Sequence, residues 1–329
     1  MIYSIFHSTR LRYNAPISES VTELYMQPRS DSLQHCHFFK VVTQPEARVF
    51  NYTEPTGNVV HYFDIPAPHT QLIITTEAIV ETFPVTPVPD ALTSDAWLAL
   101  DQLVHEGDYW DYLLPGDLSR PSDLLYAFAD QINVRATHAQ RTDDPLTALR
   151  RINSAIYSMF DYVPQSTKVD SPIDDALASR QGVCQDFSHI MIALVRTLGI
   201  PCRYVSGYLY HERENGSRSS PDASHAWVEA LLPELGWIGF DPTNNMLTDA
   251  RHVRVGIGRE YSDVPPSRGV FKGKAESKLT VAVRVRKLDQ LPQVEPLPPN
   301  PPSAWLTVEP STGHTTKHQQ IQEQQQQQQ

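Results

Sequence analysis

Hydrophobic and polar positions alternate along the N-terminal part of the chain, as in strands that bury one face. β-branched and aromatic runs are separated by turn-forming residues, for example at Pro55–Asn58. These runs predict strands at Ile2–Tyr13, Val21–Met26, Phe38–Phe50, Val59–Ile65 and Leu72–Phe83. We therefore predict a small β-sandwich domain over residues 1–83.

The hydrophobic period changes after the proline-rich segment Pro84–Pro89, which we interpret as a linker over 84–90. Apolar residues now recur every three or four positions, as in amphipathic helices. This period predicts helices at Ser94–Leu103, Pro121–Val134, Pro145–Phe160, a short one capped by Ser171, and Cys184–Leu198. The last has a broad apolar stripe and is followed by Gly199 and Pro201, so Cys184 is expected in the first turn of a buried helix.

Strand patterns return after this helix. They predict strands at Arg203–Tyr210, His225–Leu232, Trp237–Phe240 and Leu279–Lys287. Between two of these strands, the polar segment His211–Pro221 is expected to form a loop beside the candidate active site that is described below. The whole pattern predicts an α+β fold with a second domain over 91–290, followed by a Pro- and Gln-rich tail, 291–329, that is expected to be disordered.

Charge and cysteine content limit the possible partners and compartment. A formal charge of −11 argues against a nucleic-acid backbone or an anionic membrane as the main partner. No apolar run approaches the roughly 18 residues of a membrane helix, and the N-terminus lacks the pattern of a secretory signal. The three cysteines are few and odd in number, which is typical of a reducing compartment. We therefore expect a cytoplasmic protein.

Three residues, Cys184, His225 and Asp241, stand in contexts that suit nucleophilic catalysis. A thiol attacks an acyl carbon as the thiolate, so it needs a base and a group that orients the base. Cys184 opens a helix whose N-terminus favours negative charge on the sulfur. His225 begins a strand and Asp241 ends the next one, and together the three supply the parts of a triad.

The pairing of two predicted strands brings the histidine and the aspartate together. If these strands are antiparallel, the turn Pro233–Gly236 places His225 and Asp241 opposite one another. A bulge at Gly236 or Gly239 would absorb the remaining offset. One imidazole nitrogen would then bond to the carboxylate while the other faces the cysteine.

Each of the three residues also has a simpler interpretation. Cysteine is often a core residue, a histidine at a buried strand is often structural, and an Asp before Pro is a common turn residue. The joint pattern favours a site, because one helix and one hairpin bring all three residues to one point.

A zinc site is a further alternative. It would use Cys184, Cys202, His211 and His225. These spacings do not match paired-ligand motifs, so we predict neither a metal nor a cofactor. We interpret Cys202 as a core residue, Asp186 as a first-turn acid and His189 as a packed or surface helix residue.

Four segments of the chain resemble, in order, the bacterial transglutaminase-like superfamily of cysteine enzymes. They are Arg180–His189, Gly199–Tyr208, Ser224–Glu229 and Gly236–Asn245. The specific match extends over about 145–286. Residues 1–83, with Thr9–Tyr13 and Phe63–Pro66, resemble the β-rich region that precedes this core in bacteria.

The resemblance implies a papain-like core in which Cys184 is the nucleophile, His225 the general base and then acid, and Asp241 its orienter. It implies acyl transfer through a thioester, from a glutamine side chain or a peptide bond. We expect water or a lysine-type amine to take up the acyl group. Tyr162 and backbone N–H groups are candidates for an oxyanion hole, although we do not assign the tyrosine. The alternative is a non-catalytic interaction protein that retains this core.

Overall fold

The computed structural model describes residues 1–134, 141, 143–211, 223–292 and the backbone of 319–320. The predicted loop His211–Pro221, apart from His211, and most of the predicted disordered tail lie outside the described residues. The fold is α+β, as predicted, with antiparallel sheets and helices gathered in the middle of the chain.

The strands and helices follow one another in three groups. The strands before the helices are β1 (Ile2–Ile17), β2 (Glu19–Leu24), β3 (Gln34–Gln44), β4 (Phe50–Thr53), β5 (Val59–Ile65) and β6 (His69–Thr82). The helices are α1 (Ala96–Glu106), α2 (Asp123–Gln131), α3 (Pro145–Met159), α4 (Ile173–Ser179) and α5 (Cys184–Thr197), with 3-10 turns at Trp110–Tyr112 and Tyr261–Asp263. The remaining strands are β7 (Asp161–Tyr162), β8 (Gln181–Gly182), β9 (Cys202–Leu209), β10 (His225–Leu232), β11 (Gly236–Asp241), β12 (Met246–Leu247), β13 (His252–Gly258), β14 (Ser267–Lys272), β15 (Ser277–Leu288) and β16 (Gln319–Gln320).

Two antiparallel sheets form the predicted N-terminal sandwich, with strand orders β15-β1-β6-β3 and β16-β14-β2-β5-β4. Apolar side chains from both sheets meet in one core, including Leu11, Ile17, Leu24, Phe63, Leu72 and Phe271. The predicted strand Phe38–Phe50 is interrupted in the structure at Pro45, which has no N–H to give to a ladder. The sandwich is therefore confirmed, although one predicted strand corresponds to two strands, β3 and β4, in the structure.

The last strands return to the N-terminal sheets. β15 pairs with β1 from Ile2↔Leu288 to Tyr13↔Ser277, and β14 pairs with β2. The segment 267–288, which the sequence assigns to the second domain, thus supplies strands to the sandwich. The boundaries at 83 and 91 stay predictions.

The second region is built on a five-stranded antiparallel sheet of order β12-β11-β10-β9-β13. Helix α5 packs on β9 and β10, and every α5 residue except Thr197 is buried. The predicted bounds of α3 and α5 are each one residue too long at the C-terminal end. The prediction that Ser171 caps α4 is wrong. Its hydroxyl accepts from the Lys168 N–H instead, and α4 begins after Pro172.

The sandwich and the central sheet meet at β13 and β9. Tyr3, Ile5 and Val80 of the sandwich pack against Tyr208 and Val253 of the central sheet. β13 is therefore held between the two regions, and its first residue, His252, is fixed on the side of the sheet where β10 begins. Among the described residues, no helix combines the length and apolar character needed to cross a membrane.

Candidate active site

Cys184 is the first residue of α5, as predicted. The helix start is fixed by Asp186, whose carboxylate accepts from the Val183 N–H at 2.8 Å and from the Thr167 hydroxyl at 2.6 Å. Burial raises the pKa of Asp186 to about 6 against these hydrogen bonds, which lower it. The Cys184 residue is only 1% exposed, so the thiol is held inside the protein at the positive end of a helix.

Gly182 lies two residues before Cys184, in the short parallel pair of β8 with β7. Its φ is not positive, so a left-handed backbone does not explain the glycine. A Cβ at this position would lie 3.0 Å from the Asp186 Cβ and 3.1 Å from the Phe187 ring. A side chain at this position would therefore crowd the first turn of α5.

His225 begins β10 and Asp241 ends β11, and their side chains meet. His225 Nε2 lies 2.8 Å from Asp241 Oδ2, with both residues buried. The ladder is regular over the described pairs, from Leu232↔Gly236 to Val228↔Phe240, without the bulge that we expected. In this register Asp241 is a diagonal neighbour of His225 rather than directly opposite, and diagonal neighbours on one face are still in reach.

The His225 ring is placed between a carboxylate and a thiol. Its Nε2 faces Asp241, which leaves Nδ1 buried and without a partner of normal hydrogen-bond geometry among the described residues. Burial lowers the pKa of His225, but attraction and hydrogen bonding to Asp241, together with the nearby Cys184 thiol, raise it to about 10. The imidazole is thus held ready to carry a proton beside the sulfur.

Asp241 is surrounded by donors. Its Oδ2 accepts from His225, from Asn244 Nδ2 at 2.7 Å and from His252 Nε2 at 3.3 Å. Its Oδ1 accepts from the N–H groups of Thr243 and Asn244 at 3.0 and 3.2 Å. Although burial alone would raise the pKa of Asp241, the charge of His225 and the hydrogen bonds from both histidines bring it well below its usual range. The residue is therefore both the turn residue and the histidine partner that the sequence offered as alternatives.

Two members of this cluster, Asn244 and His252, were not predicted. Asn244 has a local signal, because an Asp followed by Pro-Thr-Asn closes a turn in which the Asp side chain accepts backbone N–H groups. His252 has no local signal, since it reaches the site through the pairing of β13 with β9. Its other ring nitrogen, Nδ1, accepts from the Asp249 N–H at 3.1 Å.

The four residues of the zinc alternative are not brought together. Cys202 pairs with Ala230, five residues along β10 from His225, which corresponds to about 17 Å. Cys202 is buried in the core, as predicted, and burial raises the pKa of its thiol to about 11. His211 does lie beside the His225 cluster, where burial and the neighbouring positive charges lower its pKa to about 4.

His189 and Tyr162 flank α5. His189 is packed rather than exposed, stacks on Tyr204 and accepts from the Tyr261 N–H at 3.2 Å. Tyr162 pairs with Gly182 across β7 and β8, two residues before the cysteine. Burial first, and then the nearby acidic groups, raise the pKa of Tyr162, so its hydroxyl remains a donor beside the site.

Within the part of the chain that the structure describes, one group of side chains offers metal-ligating atoms close together. The ligand atoms of His225, Asp241 and His252 lie within 4.8 Å of one another. Both histidine nitrogens that face Asp241 are within hydrogen-bonding distance of its carboxylate, so a metal ion would have to displace two hydrogen bonds. This arrangement is better suited to orienting an imidazole than to holding a cation.

Models of two protein families match the chain. The transglutaminase-like superfamily matches residues 131–242, and the bacterial transglutaminase-like N-terminal region matches residues 3–81. The first match contains Cys184, His225 and Asp241, and the second covers most of the sandwich strands that precede the helices.

Individual proteins match as well. An uncharacterized protein of Mycobacterium leprae is 33% identical over 285 residues, which are 86% of this chain and 98% of that protein. A protein-glutamine gamma-glutamyltransferase of Pseudomonas aeruginosa is 32% identical over 126 residues, 36% of this chain and 18% of that protein. The crystal structure of a candidate cysteine protease from Cytophaga hutchinsonii has a TM-score of 0.63 at 21% identity, covering 89% of this chain and 93% of that chain, so it shares the fold.

Proposed function

The chain belongs to the transglutaminase-like superfamily, and we propose that it is a cysteine-dependent enzyme acting on peptide or isopeptide amides. It forms a thioester on Cys184 and passes the acyl group to an amine or to water. The observation that carries this proposal is the buried His225–Asp241 pair at 2.8 Å, whose second ring nitrogen is left for the thiol.

In the first step, His225 Nδ1 takes the proton of the Cys184 thiol and the sulfur attacks the carbonyl carbon of the amide. The C–N bond then breaks, and the nitrogen leaves as an amine or as ammonia with the proton held by His225. Asp241 stays ionised throughout and fixes the ring, which matches the five hydrogen bonds that its two oxygens accept.

In the second step, a nucleophile gives its proton to His225 and attacks the thioester carbon. The C–S bond breaks, and His225 shares the proton taken from the nucleophile with the released sulfur, as before the first step. Water makes the protein a peptidase or deamidase, whereas a lysine-type amine makes it a transglutaminase. The exclusion of water from the occupied site decides between the two outcomes.

The proposed partner is a peptide or protein substrate, and the proposed compartment is the cytoplasm. The three cysteines, all within the described residues, form no disulfide with one another. The net charge of −11 supports neither nucleic acid nor membrane as a partner.

Alkylation of the thiol tests the catalytic assignment without knowledge of the substrate. Iodoacetamide should modify Cys184 faster than an ordinary thiol at and slightly below neutral pH, with peptide mapping to locate the label and Cys184→Ala as the control. Labelling at the rate of an ordinary thiol would favour the alternative, a non-catalytic interaction protein built on the same core.

A second assay distinguishes transfer from hydrolysis. The protein is incubated with a glutamine-containing peptide and a labelled primary amine, while peptide cleavage and ammonia release are followed in the same sample. Incorporation of the amine supports a transglutaminase. Cleavage or deamidation without incorporation would exclude that version and support hydrolysis.

A further inference from the structure

We propose that His252 is a positioning residue, which holds Asp241 in place and keeps its carboxylate ionised. This inference rests on the proposed function of the site. His252 Nε2 lies 3.3 Å from Asp241 Oδ2, the same oxygen that faces His225 at 2.8 Å. One carboxylate oxygen is therefore contacted by two imidazole rings, and the ring of His225 also lies beside the Cys184 thiol.

The surroundings of His252 specify where its ring proton lies. Nδ1 accepts from the backbone N–H of Asp249 at 3.1 Å, so that nitrogen carries a lone pair. In the neutral ring the proton must then be on Nε2, from which it is donated to Asp241. The carboxylate of Asp241 thereby receives a second fixed N–H.

The residue is held rigidly enough to perform this role. Its side chain is 1% exposed, and its ring packs edge-to-face with Trp227, with centroids 5.2 Å apart. Asp249 is fixed in turn by Arg251, whose guanidinium donates to both carboxylate oxygens. His252 is therefore fixed by two contacts: the Asp249 N–H in the turn before β13 donates to Nδ1, and Trp227 of β10 packs against the ring.

Several charged or titratable groups act on this cluster. Asp241, Asp249 and His225 face the His252 ring, with Asp249 Oδ1 3.4 Å from Nδ1. Arg251 and His211 also lie close enough to interact electrostatically with the cluster, and His211 does so as a neutral ring above about pH 4. Removing the Nε2 donor leaves the carboxylate with one ligand fewer among these groups, so Asp241 should take up a proton at a higher pH.

Two substitutions of different length separate the two ends of the ring. In His252→Gln the amide nitrogen reaches the position of Nε2, so the hydrogen bond to Asp241 is kept. In His252→Asn the side chain keeps an acceptor for the Asp249 N–H but stops short of Asp241. His61→Leu, at a buried histidine in the sandwich strand β5, controls for the general cost of changing a buried histidine.

The experiment measures the rate at which iodoacetamide alkylates Cys184 as a function of pH in the folded full chain. We expect His252→Asn to slow alkylation about tenfold and to move the acid limb of the pH–rate profile to higher pH. Groups that hydrogen-bond to the residues of a site commonly contribute this much. His252→Gln and His61→Leu should stay within about twofold of the wild type, since neither loses the contact to Asp241.

The possible results separate this inference from the proposed function. Rapid wild-type alkylation with an unchanged pH profile in His252→Asn would overturn the role of His252 alone. Wild-type alkylation at the rate of an ordinary thiol would overturn the proposed function, and the role of His252 with it. Nitrogen-15 NMR of the wild-type ring needs no variant: a proton on Nε2 supports the proposal, and one on Nδ1 alone contradicts it.

Discussion

Strand β10 carries two buried polar clusters that differ in one respect. At its start, His225 gives one ring nitrogen to Asp241 and has no partner of normal geometry for the other among the described residues. Four residues along, both carboxylate oxygens of Glu229 accept hydrogen bonds. Arg203 donates twice to Oε2, at 2.9 and 2.7 Å, and Arg254 donates to Oε1 at 3.3 Å. We call the second group, with Asp31, the ionic cluster.

The comparison shows how neighbouring polar groups come to serve structure or chemistry. In the ionic cluster each charge meets an opposite charge, and Arg254 also pairs with Asp31 of the N-terminal region, so the cluster joins the two regions. In the site the available nitrogen is the group that can exchange a proton. A complete network fixes a fold, whereas an incomplete one beside a thiol retains the capacity to react.

Asp241→Asn should break the reactive cluster and have the largest effect. An amide can neither hold the ring in the required tautomer nor balance its charge, so the rate of substrate turnover should fall by a factor on the order of 10⁴. The free energy of unfolding, measured by urea unfolding followed by tryptophan fluorescence, should fall by much less than the activation free energy rises. Retention of most activity would remove Asp241 from the mechanism.

Glu229→Gln should break the ionic cluster instead. It removes the shared carboxylate from the half-buried Arg203 and the buried Arg254, which keeps only Asp31, and breaking such a buried pair typically costs about 3–5 kcal/mol of unfolding free energy. The alkylation rate of Cys184 in the folded fraction should remain near the wild-type value. A large loss of reactivity without a loss of stability would show that the two clusters are not separate.

A histidine at the junction of the two regions sharpens the contrast with His225. Burial lowers the pKa of His7 to about 4, and its ring contacts the Tyr208 hydroxyl at 2.8 Å rather than a carboxylate. Its stabilising contribution is therefore complete above pH 6.5 and is lost as the pH falls towards 4, a change of about 3 kcal/mol.

The pH dependence of unfolding checks this assignment. Between pH 6.5 and 4, the unfolding free energy of the wild type should fall more steeply with decreasing pH than that of His7→Gln. The difference in slope should correspond to about one proton bound on unfolding. The contribution of His225 has the opposite sign, because its raised pKa gives stability below pH 6.5 that is lost as the pH rises through about 10. Equal slopes in the two proteins would contradict the burial of a neutral His7.

Asp186→Asn should have the smallest effect. Both hydrogen bonds at the start of α5 go to one oxygen, which the amide can supply, so only the negative charge at the helix N-terminus is lost and we expect a loss of about 1 kcal/mol in unfolding free energy. Asp175→Asn, at an exposed acid of α4, is the matched control and should stay within about 0.5 kcal/mol of the wild type. A loss several times larger in Asp186→Asn would mean that the carboxylate organises the site itself.

The sequence predicts the parts of the site whose signals are local. Cys184 follows from the apolar stripe and stop signals of one helix, and Asp241 from a strand that ends at an Asp-Pro turn. The register was predicted less well, because a three-residue turn that closes at Leu232↔Gly236 makes a bulge unnecessary. Turn geometry rather than strand pattern sets this offset.

Long-range pairing could not be predicted in the same way. Nothing near Ile2 or Leu288 in the sequence indicates that they pair in one ladder. The position of His252 is hidden for the same reason, since it depends on β13 lying beside β9. Such contacts are fixed by the packing of whole sheets against one another, which local patterns do not record.

Ultraviolet titration of the Cys184 thiolate tests the central claim most directly. Absorbance of the thiolate is followed with pH in the wild type, with Cys184→Ala subtracted and His225→Gln measured in parallel. The account predicts a thiolate signal at neutral pH in the wild type that His225→Gln abolishes. A signal that develops only in the alkaline range of an ordinary thiol, equally with and without His225, would contradict it.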